Sequence, residues 1–430
     1  MQLAHYDRLT GLVNRDLFYS RLTSAIRLAQ QSEKNLAVLF VDLDGLKDIN
    51  DSHGHHIGDK LLKEVAIRLH QCVRDQDTIG RFGGDEFIIM TEGIMATEEG
   101  SPKIAKRIIT VMDAPFHVNG KILHVSCSIG IATFPNCGNN PDELLKHADI
   151  AMHNAKQQGK NQYSFYTKSL NAEVSERMSL EHALRDAITN NELNVHYQPL
   201  VDIASGRVEG VEALIRWQHP QMGMISPMKF IPIAEQSGLI IPIGQWVMQQ
   251  VCDEYKQIGK LVKQPFHVSV NISAAQLEDK HLLQHFTEIL EIANVSPRHI
   301  ALELTESVIM DDPQSVIKLF SQFKELGMQI FVDDFGTGYS SLSYLSKLPI
   351  DVLKVDRSFV KDIATNNNDK ILAKAIIGLA HNLNLSVIAE GVENEEQLGH
   401  LRDFGADKAQ GYHFAKPMPL ESLCTWIKTQ

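Results

Sequence analysis

Two adjacent carboxylates, Asp333 and Asp334, follow an apolar run at residues 330–332 that is typical of a buried strand. Acids at the end of a buried strand are costly unless a cation neutralises them. The usual neutraliser is a divalent metal ion held by oxygen ligands. A second short apolar run, Val352 to Val355, carries Lys354. A single aspartate would more often cap the following helix, but an acidic pair followed by a strand-borne lysine favours a metal site.

The paired acids belong to a longer pattern that begins at Leu193. From there, short apolar runs alternate with helical stretches, which is typical of βα units. Eight strand candidates across about 240 residues fit a single α/β barrel. The candidates are Leu193 to Leu200, Val208 to Ile215, Phe266 to Ile272, Ile300 to Leu304, Gln329 to Asp333, Val352 to Val355, Ser386 to Ala389 and Ala409 to Phe414.

Polar residues mark seven of these eight candidates. They are Glu212, Asn271, Glu303, Asp333, Lys354, Glu390 and Gln410. Barrel active sites form where the carboxyl ends of the strands converge, so the whole set predicts a site, although one such acid alone would more often be structural. Oxygen ligands without Cys or His favour Mg²⁺ or Mn²⁺ over Zn²⁺. Gly336 and Gly338 predict a sharp turn just after the acidic pair.

The N-terminal part of the chain presents a second group of acids. Leu36 to Leu43 predicts a buried strand that carries Asp42. Gly83-Gly84 is a hairpin signal, and this hairpin displays Asp85 and Glu86 at its tip. Unpaired like charges repel, so a plain hairpin does not require two acids there. Mg²⁺ bound together with a triphosphate would supply the missing positive charge.

Length and composition restrict the possible functions. The chain has 430 residues, 43% hydrophobic and 22% charged, which predicts a soluble globular protein of two unequal domains. A net charge of −12 argues against polymeric nucleic acid or an anionic membrane as the partner. Five scattered cysteines without a Cys-x-x-Cys pair suit a reducing compartment, so we expect a cytoplasmic location. Three neighbouring histidines, His53, His55 and His56, are expected to be solvated or to cap a helix rather than to bind metal.

No apolar run reaches membrane-spanning length, and no signal peptide precedes the first charged residues. The chain starts almost directly on a motif, His5 to Leu12. We expect that an upstream sensory module has been cut away.

Residues 83–87 read Gly-Gly-Asp-Glu-Phe, and Asp7 to about Phe165 resembles a diguanylate cyclase (GGDEF) domain along its whole length. The fold implied is α/β and nucleotide-cyclase-like, and joining two GTP molecules implies a homodimer. The resemblance implies the following roles: metal binding by Asp42 and Asp85, activation of the 3′-hydroxyl by Glu86, guanine binding by Asn50 and Asp59, phosphate contacts by Lys156 and Lys160, and an inhibitory product site at Arg74 and Asp77. Lys160 stands where Arg is usual, which loses bidentate phosphate geometry.

Glu212-Ala213-Leu214 carries a second resemblance, to the EAL cyclic di-GMP phosphodiesterases, over Glu181 to Gln430. The fold implied is a TIM-like (β/α)8 barrel whose first strand is antiparallel to the rest. The resemblance implies these roles: ligation of two Mg²⁺ or Mn²⁺ ions by Glu212, Asn271, Glu303, Asp333 and Asp334, positioning or activation of the attacking water by Lys354 and Glu390, substrate binding by Arg216, Gln198 and Gln410, and stabilisation of the loop after Asp334 by Glu306.

The sequence therefore predicts a GGDEF domain at 1–166, an interdomain helix at 167–180 and an EAL domain at 181–430. The expected ligands are GTP and cyclic di-GMP, and the expected activities are hydrolysis in the barrel and synthesis in the N-terminal domain. Three alternatives stay open: a phosphodiesterase with a GTP-sensing N-terminal domain, a non-catalytic cyclic di-GMP receptor, and a two-metal nuclease.

Overall fold

The computed structural model describes residues 5–32, 34–93, 100–262, 266–311, 313–336, 345 and 347–429. The chain divides into two compact units, Met1–Met178 and Ser179–Gln430. Residues 337–344, which include Gly338 and most of the predicted turn after the acidic pair, lie outside the described residues. Among the described helices, none combines the length and apolar character that a membrane crossing requires.

The described residues of the N-terminal unit form one sheet, a small hairpin and five helices. The strands are β1 (Leu36–Asp44), β2 (Thr78–Gly83), β3 (Glu86–Glu92), β4 (Phe116–Val118), β5 (Lys121–Leu123), β6 (Ser126–Phe134) and β7 (Tyr163–Phe165). The helices are α1 (Arg15–Ser32), α2 (Leu46–His53), α3 (His55–Gln71), α4 (Ser101–Asp113) and α5 (Pro141–Gln157). The sheet has the strand order β2-β3-β1-β6-β7, so β1 is central. A further helix, α6, spans Lys168–Ala187 and covers almost all of the predicted interdomain segment.

Every residue of the central strand β1 from Leu36 to Leu43 is buried. Successive side chains point to opposite faces of the sheet. Ala37 and Leu39 accordingly lie in one hydrophobic core, while Val38 and Phe40 lie in the other. The hairpin of β2 and β3 is confirmed, and its register places Asp42 of β1 directly opposite Glu86.

In the barrel unit, the part of the chain that the structure describes contains ten strands, of which eight close the barrel. The strands are β8 (Leu193–Asp202), β9 (Val208–His219), β10 (Gly223–Ile225), β11 (His267–Asn271), β12 (Ile300–Thr305), β13 (Gln329–Phe335), β14 (Val352–Val355), β15 (Ser386–Ala389), β16 (Lys408–Ala409) and β17 (Met418–Pro419). Parallel pairing runs from β9 through β11 to β16. Strand β8 closes the barrel with antiparallel pairing to both β9 and β16, as predicted. The short strand β10 pairs antiparallel with β9, and the short strand β17 pairs antiparallel with β8.

The helices of this unit follow the strands around the barrel. They are α7 (Pro227–Ser237), α8 (Ile240–Ile258), α9 (Ala274–Leu277), α10 (Leu282–Ala293), α11 (Glu306–Asp311), α12 (Pro313–Leu326), α13 (Arg357–Lys361), α14 (Asn367–Asn382), α15 (Glu395–Phe404) and α16 (Leu420–Thr429), with a 3₁₀ turn at Pro297–His299.

A layer of apolar side chains fills the barrel beneath the strand ends. It consists of Leu200, Ala301, Phe331, Val352 and Ile388. On the parallel strands, each of these residues lies two positions before a residue of the predicted site. Because strand side chains alternate with a period of two, both residues of such a pair face the same side. The apolar layer therefore supports the polar layer above it.

Seven of the eight predicted barrel strands are confirmed, although β9 continues to His219. The eighth prediction, Ala409 to Phe414, was wrong, since the strand ends at Ala409. The chain turns after Gln410 because Gly411 packs against Val392, where a Cβ would lie 2.0 Å from the Val392 carbonyl oxygen. The amide of His413 then donates to that carbonyl at 2.9 Å instead of continuing a sheet ladder.

Candidate active sites of the two units

Lys354 contacts four carboxylates inside the barrel. Its Nζ atom lies 2.6 Å from Glu390 Oε1, 2.9 Å from Glu303 Oε2, 3.3 Å from Asp333 Oδ2 and 3.4 Å from Glu212 Oε2. The lysine side chain is completely buried. The acids come from β9, β12, β13 and the residue after β15, so the closed barrel gathers them around one ammonium group.

The surroundings of Lys354 determine its protonation. Burial alone would lower the pKa of the lysine, but the surrounding carboxylates, Asp333 foremost, raise it well above its ordinary value. Burial raises the pKa of Glu303 to about 8 and raises that of Glu390 well above its usual range. Lys354 is therefore a permanent cation, and a single ammonium does not compensate for the burial of all its acidic neighbours.

Glu212 is the best-satisfied acid of this group. Its Oε1 accepts a hydrogen bond from Asn271 Nδ2 at 2.8 Å, and its Oε2 accepts one from Gln410 Nε2 at 2.7 Å. The same Gln410 nitrogen also donates to Gln198 Oε1 at 3.0 Å. Burial opposes ionisation of Glu212, but Lys354 and the two amides lower its pKa. The geometry thus gives Gln410 and Gln198 the function of orienting Glu212, beside the substrate contact that the sequence predicts for them.

The acidic pair reaches the same space because β13 is irregular. Neighbouring side chains on a regular strand point to opposite faces, but the register of β13 shifts between Val332 and Phe335. Asp334 adopts a left-handed conformation with φ of 54°, and its amide donates to Asp333 Oδ1 at 2.9 Å. Burial and repulsion from Asp333 and Asp356 raise the pKa of Asp334 to about 6. Both carboxylates can therefore serve one site.

The donor set fits divalent cations. Carboxylate oxygens of Asp333, Asp334 and Glu390 lie within 4.8 Å of one another. Glu303 Oε1 is buried and receives no hydrogen bond from the described residues. With all groups ionised, the site contains five carboxylates, which are the four around Lys354 and that of Asp334, and one ammonium. Its net charge is therefore about −4. Two divalent ions would offset that charge, and oxygen ligands of this kind suit Mg²⁺ or Mn²⁺.

Two cavities adjoin this site. One of about 260 Å³ is lined by Glu212, Asp333, Glu390 and Gln410, and also by Arg357, Glu393 and Tyr412. Arg357 forms an ion pair with Glu393 at 2.6 Å. Sequence reasoning assigned no function to Arg357, Glu393 or Tyr412, although all three stand in or beside motifs that it used.

The second cavity, of about 510 Å³, lies between β9, β11, α7 and α8. Its lining is mostly apolar, and its polar members are Arg216, Glu235, Asn271, Ser273, Gln276 and Thr305. Burial lowers the pKa of Arg216 and raises that of Glu235. Arg216 donates to the Ile215 carbonyl at 2.8 Å, which places the guanidinium at the edge of this cavity.

Glu306 begins α11 and is buried. Its Oε2 accepts a hydrogen bond from the amide of Gly336 at 2.8 Å. Gly336 has φ of 98°, a conformation that favours glycine. This contact is the one that a loop-stabilising residue would make, although most of that loop lies outside the described residues.

In the N-terminal unit, Lys156 at the end of α5 forms an ion pair with Asp42 at 2.7 Å. Burial, with repulsion from Asp85, nevertheless raises the pKa of Asp42 to about 6. Burial also raises the pKa of Glu86, with repulsion from Asp149 and then from Asp85. The structure therefore assembles the predicted acids at one end of β1 and at the hairpin tip.

The predicted guanine-binding residues lie at the junction of α2 and α3. A Cβ at Gly58, the residue before Asp59, would lie 2.0 Å from Asn50 Oδ1. Glycine at 58 thus lets α3 approach the end of α2, which brings Asn50 beside the turn that carries Asp59. His55 and His56 are exposed at the start of α3, and the described residues form no metal-binding group around them.

The predicted product site is a closed turn between α3 and β2. Asp77 Oδ2 accepts from the amide of Arg74 at 2.9 Å, and the Asp77 amide donates to the Arg74 carbonyl at 2.9 Å. The Arg74 side chain is exposed. Strand β2 separates this turn from the hairpin tip with Asp85, so these two predicted sites lie at opposite ends of one strand.

Comparison with known proteins extends over both units. Residues 4–162 match the family model "Diguanylate cyclase, GGDEF domain", and residues 181–417 match the model "EAL domain". The chain is 42% identical over 423 residues to the bifunctional diguanylate cyclase/cyclic di-GMP phosphodiesterase MucR of Pseudomonas aeruginosa, covering 98% of this chain and 62% of that protein. It is 39% identical over 428 residues to the cyclic di-GMP phosphodiesterase PdeR of Escherichia coli, covering 99% of this chain and 64% of that protein.

A solved structure described as the PaMucR phosphodiesterase in complex with c-di-GMP is 40% identical, with a TM-score of 0.55, and covers 57% of this chain and 99% of that one. The chain spans between 51% and 67% of the length of the curated relatives it matches. The order and extent of the two matched regions agree with the two units described above. The chain belongs to the family of cyclic di-GMP signalling proteins in which a GGDEF domain is followed by an EAL domain.

Proposed function

We propose that the barrel hydrolyses cyclic di-GMP to linear pGpG. The observation that supports this most is the gathering of four carboxylates around the buried Lys354, with Asp334 beside them. Two Mg²⁺ or Mn²⁺ ions held by Glu212, Asn271, Glu303, Asp333 and Asp334 would stabilise charge on the attacking and leaving oxygens of the phosphodiester. The related structure with bound c-di-GMP supports the choice of substrate.

The remaining residues of the barrel site have distinct tasks in this proposal. Lys354 is a permanent cation, so it holds the acids and the attacking water in place but does not accept a proton. Glu390, at 2.6 Å from Lys354, would accept the proton of that water once bound ions hold it ionised, since burial alone raises its pKa. Arg216 binds a phosphate, and the 510 Å³ apolar cavity beside it is large enough for a planar base.

We further propose that the N-terminal unit binds GTP and makes cyclic di-GMP as a homodimer. Asp42 and Asp85 would hold Mg²⁺, and Glu86 would activate the 3′-hydroxyl. Lys156 would give up its ion pair with Asp42 and contact a phosphate of GTP instead. The names of the relatives support two possibilities, since MucR is described as bifunctional and PdeR as a phosphodiesterase. The second candidate function of this unit is therefore GTP-dependent control of the barrel without synthesis.

One experiment tests the hydrolysis. The protein is incubated with Mg²⁺ and cyclic di-GMP, and the nucleotides are separated by chromatography. We expect linear pGpG from the wild type and none from Glu212→Ala. Glu396→Ala is the matched control, because Glu396 is exposed in α15. Unchanged turnover in Glu212→Ala would contradict the two-metal proposal.

A second experiment separates synthesis from sensing. Glu212→Ala protein is given GTP and Mg²⁺, and we expect cyclic di-GMP to accumulate because the barrel no longer consumes it. A double change at Asp85 and Glu86 should then abolish the product. Absence of cyclic product at high protein concentration, together with a GTP effect on wild-type hydrolysis that Asn50→Ala removes, would establish the sensing function instead.

A further inference from the structure

Asp44, the last residue of β1, has no role in the proposed GTP site. It lies two residues after Asp42, so the alternation of the strand places both carboxylates on the same face. An extra anion next to a triphosphate site weakens binding, so its presence requires another explanation.

The Asp44 carboxylate accepts three hydrogen bonds from two segments of the chain. Ser126 Oγ donates to Oδ2 at 2.7 Å, and Ser128 Oγ donates to Oδ1 at 2.9 Å. Both serines belong to β6, which pairs with β1. The third donor is the backbone amide of Asn161, at 3.2 Å from Oδ2. The serines thus fix the carboxylate, and the carboxylate in turn holds a turn that lies 117 residues further along the chain.

That turn joins α5 to β7 and has an unusual backbone. Gly159, Lys160 and Asn161 have φ values of 118°, 60° and 47°, so three successive residues lie in the left-handed region. Non-glycine residues in this region are strained and persist only where the surroundings hold them. The hydrogen bond from Asn161 to Asp44 ties this strained turn to the sheet.

We propose that Asp44 is a positioning residue for the triphosphate of GTP. By holding the turn of Gly159 to Asn161, it fixes Lys160 and the end of α5, with Lys156, for contact with phosphate. In this proposal it acts as a hydrogen-bond acceptor and not as a charge or a metal ligand, because three donors take up most of the acceptor positions of its two oxygens. This inference rests on the proposed binding of GTP by the N-terminal unit.

The first test needs no nucleotide. Hydrogen exchange of the amides at residues 159–161 is compared in wild type, Asp44→Ala, Asp44→Asn and the control Asp16→Ala, which changes an exposed acid of α1. Loss of one hydrogen bond to a charged acceptor should accelerate exchange in Asp44→Ala by about 10-fold or more. The asparagine oxygen still accepts from Asn161, so Asp44→Asn should stay near wild type. Unchanged exchange in Asp44→Ala would overturn the proposal.

The second test measures the affinities for GTP and GMP in Mg²⁺ by calorimetry. We expect Asp44→Ala to weaken GTP binding by about 5–30-fold and GMP binding much less, since Asn50 and Asp59 are untouched. Asp44→Asn should keep GTP affinity or improve it, because an anion is removed. Equal losses in both variants would show that the charge matters and would overturn the acceptor role. If the wild type binds no GTP, the proposed function fails, while the exchange test still decides whether Asp44 holds the turn.

Discussion

In both units of the chain a lysine forms ion pairs with site acids, but the two lysines differ in position and in exposure. In the barrel, Lys354 extends from a strand, is completely buried and contacts four carboxylates at 2.6–3.4 Å. In the N-terminal unit, Lys156 lies in the last turn of a helix, its side chain is 30% exposed, and it contacts Asp42 at 2.7 Å. Both sites thus pair a lysine with carboxylates, but the buried Lys354 is held more rigidly than the partly exposed Lys156.

The pKa shifts show what this difference means. Asp42 keeps a pKa of about 6 because burial, with its acidic neighbours, outweighs the partly exposed lysine. Glu212 has a lowered pKa although it is fully buried, because Lys354 and two amides compensate. We infer that the barrel keeps its acids assembled before any ion binds. On the proposed function, GTP would instead complete the N-terminal site, and Lys156 would have to leave Asp42.

The largest expected effect is on hydrolysis. Glu212→Ala removes a proposed metal ligand, and turnover of cyclic di-GMP should fall by more than about 100-fold. Gln410→Ala removes only a residue that orients Glu212, and such losses typically reduce activity by about 10–100-fold. Steady-state hydrolysis assays at saturating Mg²⁺ measure both. A Gln410 variant as inactive as the Glu212 variant would indicate that Gln410 itself contacts the substrate.

The next effect concerns stability without metal and tests the comparison directly. Lys354→Met leaves several acids buried without their cation, and breaking a buried ion pair costs about 3–5 kcal/mol. Lys156→Met removes a partly exposed pair, which is worth about 1 kcal/mol or less. All three tryptophans lie in the barrel unit, at positions 217, 246 and 426. Their fluorescence in EDTA therefore follows barrel unfolding, and circular dichroism follows the whole chain. Equal destabilisation by both changes would remove the distinction drawn between the two lysines.

A smaller effect depends on pH and has opposite signs in the two units. The pKa of Asp42 is about 6 in the folded protein, against about 3.9 in the unfolded chain, so stability falls as pH rises between these values. Asp42→Asn should therefore stabilise the metal-free N-terminal unit by about 1–3 kcal/mol at pH 7.5 and change little at pH 4. Glu212→Gln should destabilise the barrel at pH 7.5, because the lowered pKa of Glu212 stabilises its ionised form. Calorimetric unfolding of each variant at the two pH values measures these differences, and a stabilising Glu212→Gln would contradict the assignment.

Much of this arrangement could be predicted from the sequence, because it depends on the spacing of apolar residues and on the types of residue at the strand ends. Buried strands with acids at their ends predicted the barrel, and the glycine pair predicted the hairpin that presents Asp85. The eighth strand could not be delimited, since an apolar run after Ala409 looks the same whether it extends or turns. Only the packing of Gly411 against Val392 decides this.

The geometry of the sites was less predictable. The adjacency of Asp333 and Asp334 gives no sign that a bulge and a left-handed residue aim both acids at one place. Nor does the sequence show that Gln410 hydrogen-bonds to Glu212, since their positions are 198 residues apart. Contacts of this kind depend on barrel closure, which no local pattern encodes.

The smallest expected effect lies outside both acid groups, at the turn of Arg74 and Asp77. The Asp77 carboxylate caps this turn, whereas the Arg74 side chain is exposed, so Arg74→Ala should change stability by less than about 0.5 kcal/mol. If the turn is the product site that the sequence predicts, the same variant should lose inhibition of synthesis by cyclic di-GMP, because arginine grips a phosphate or a guanine edge bidentately. Initial rates in a Glu212→Ala background, where product persists, measure this inhibition against added cyclic di-GMP. Inhibition that survives in Arg74→Ala would reduce the motif to a structural turn.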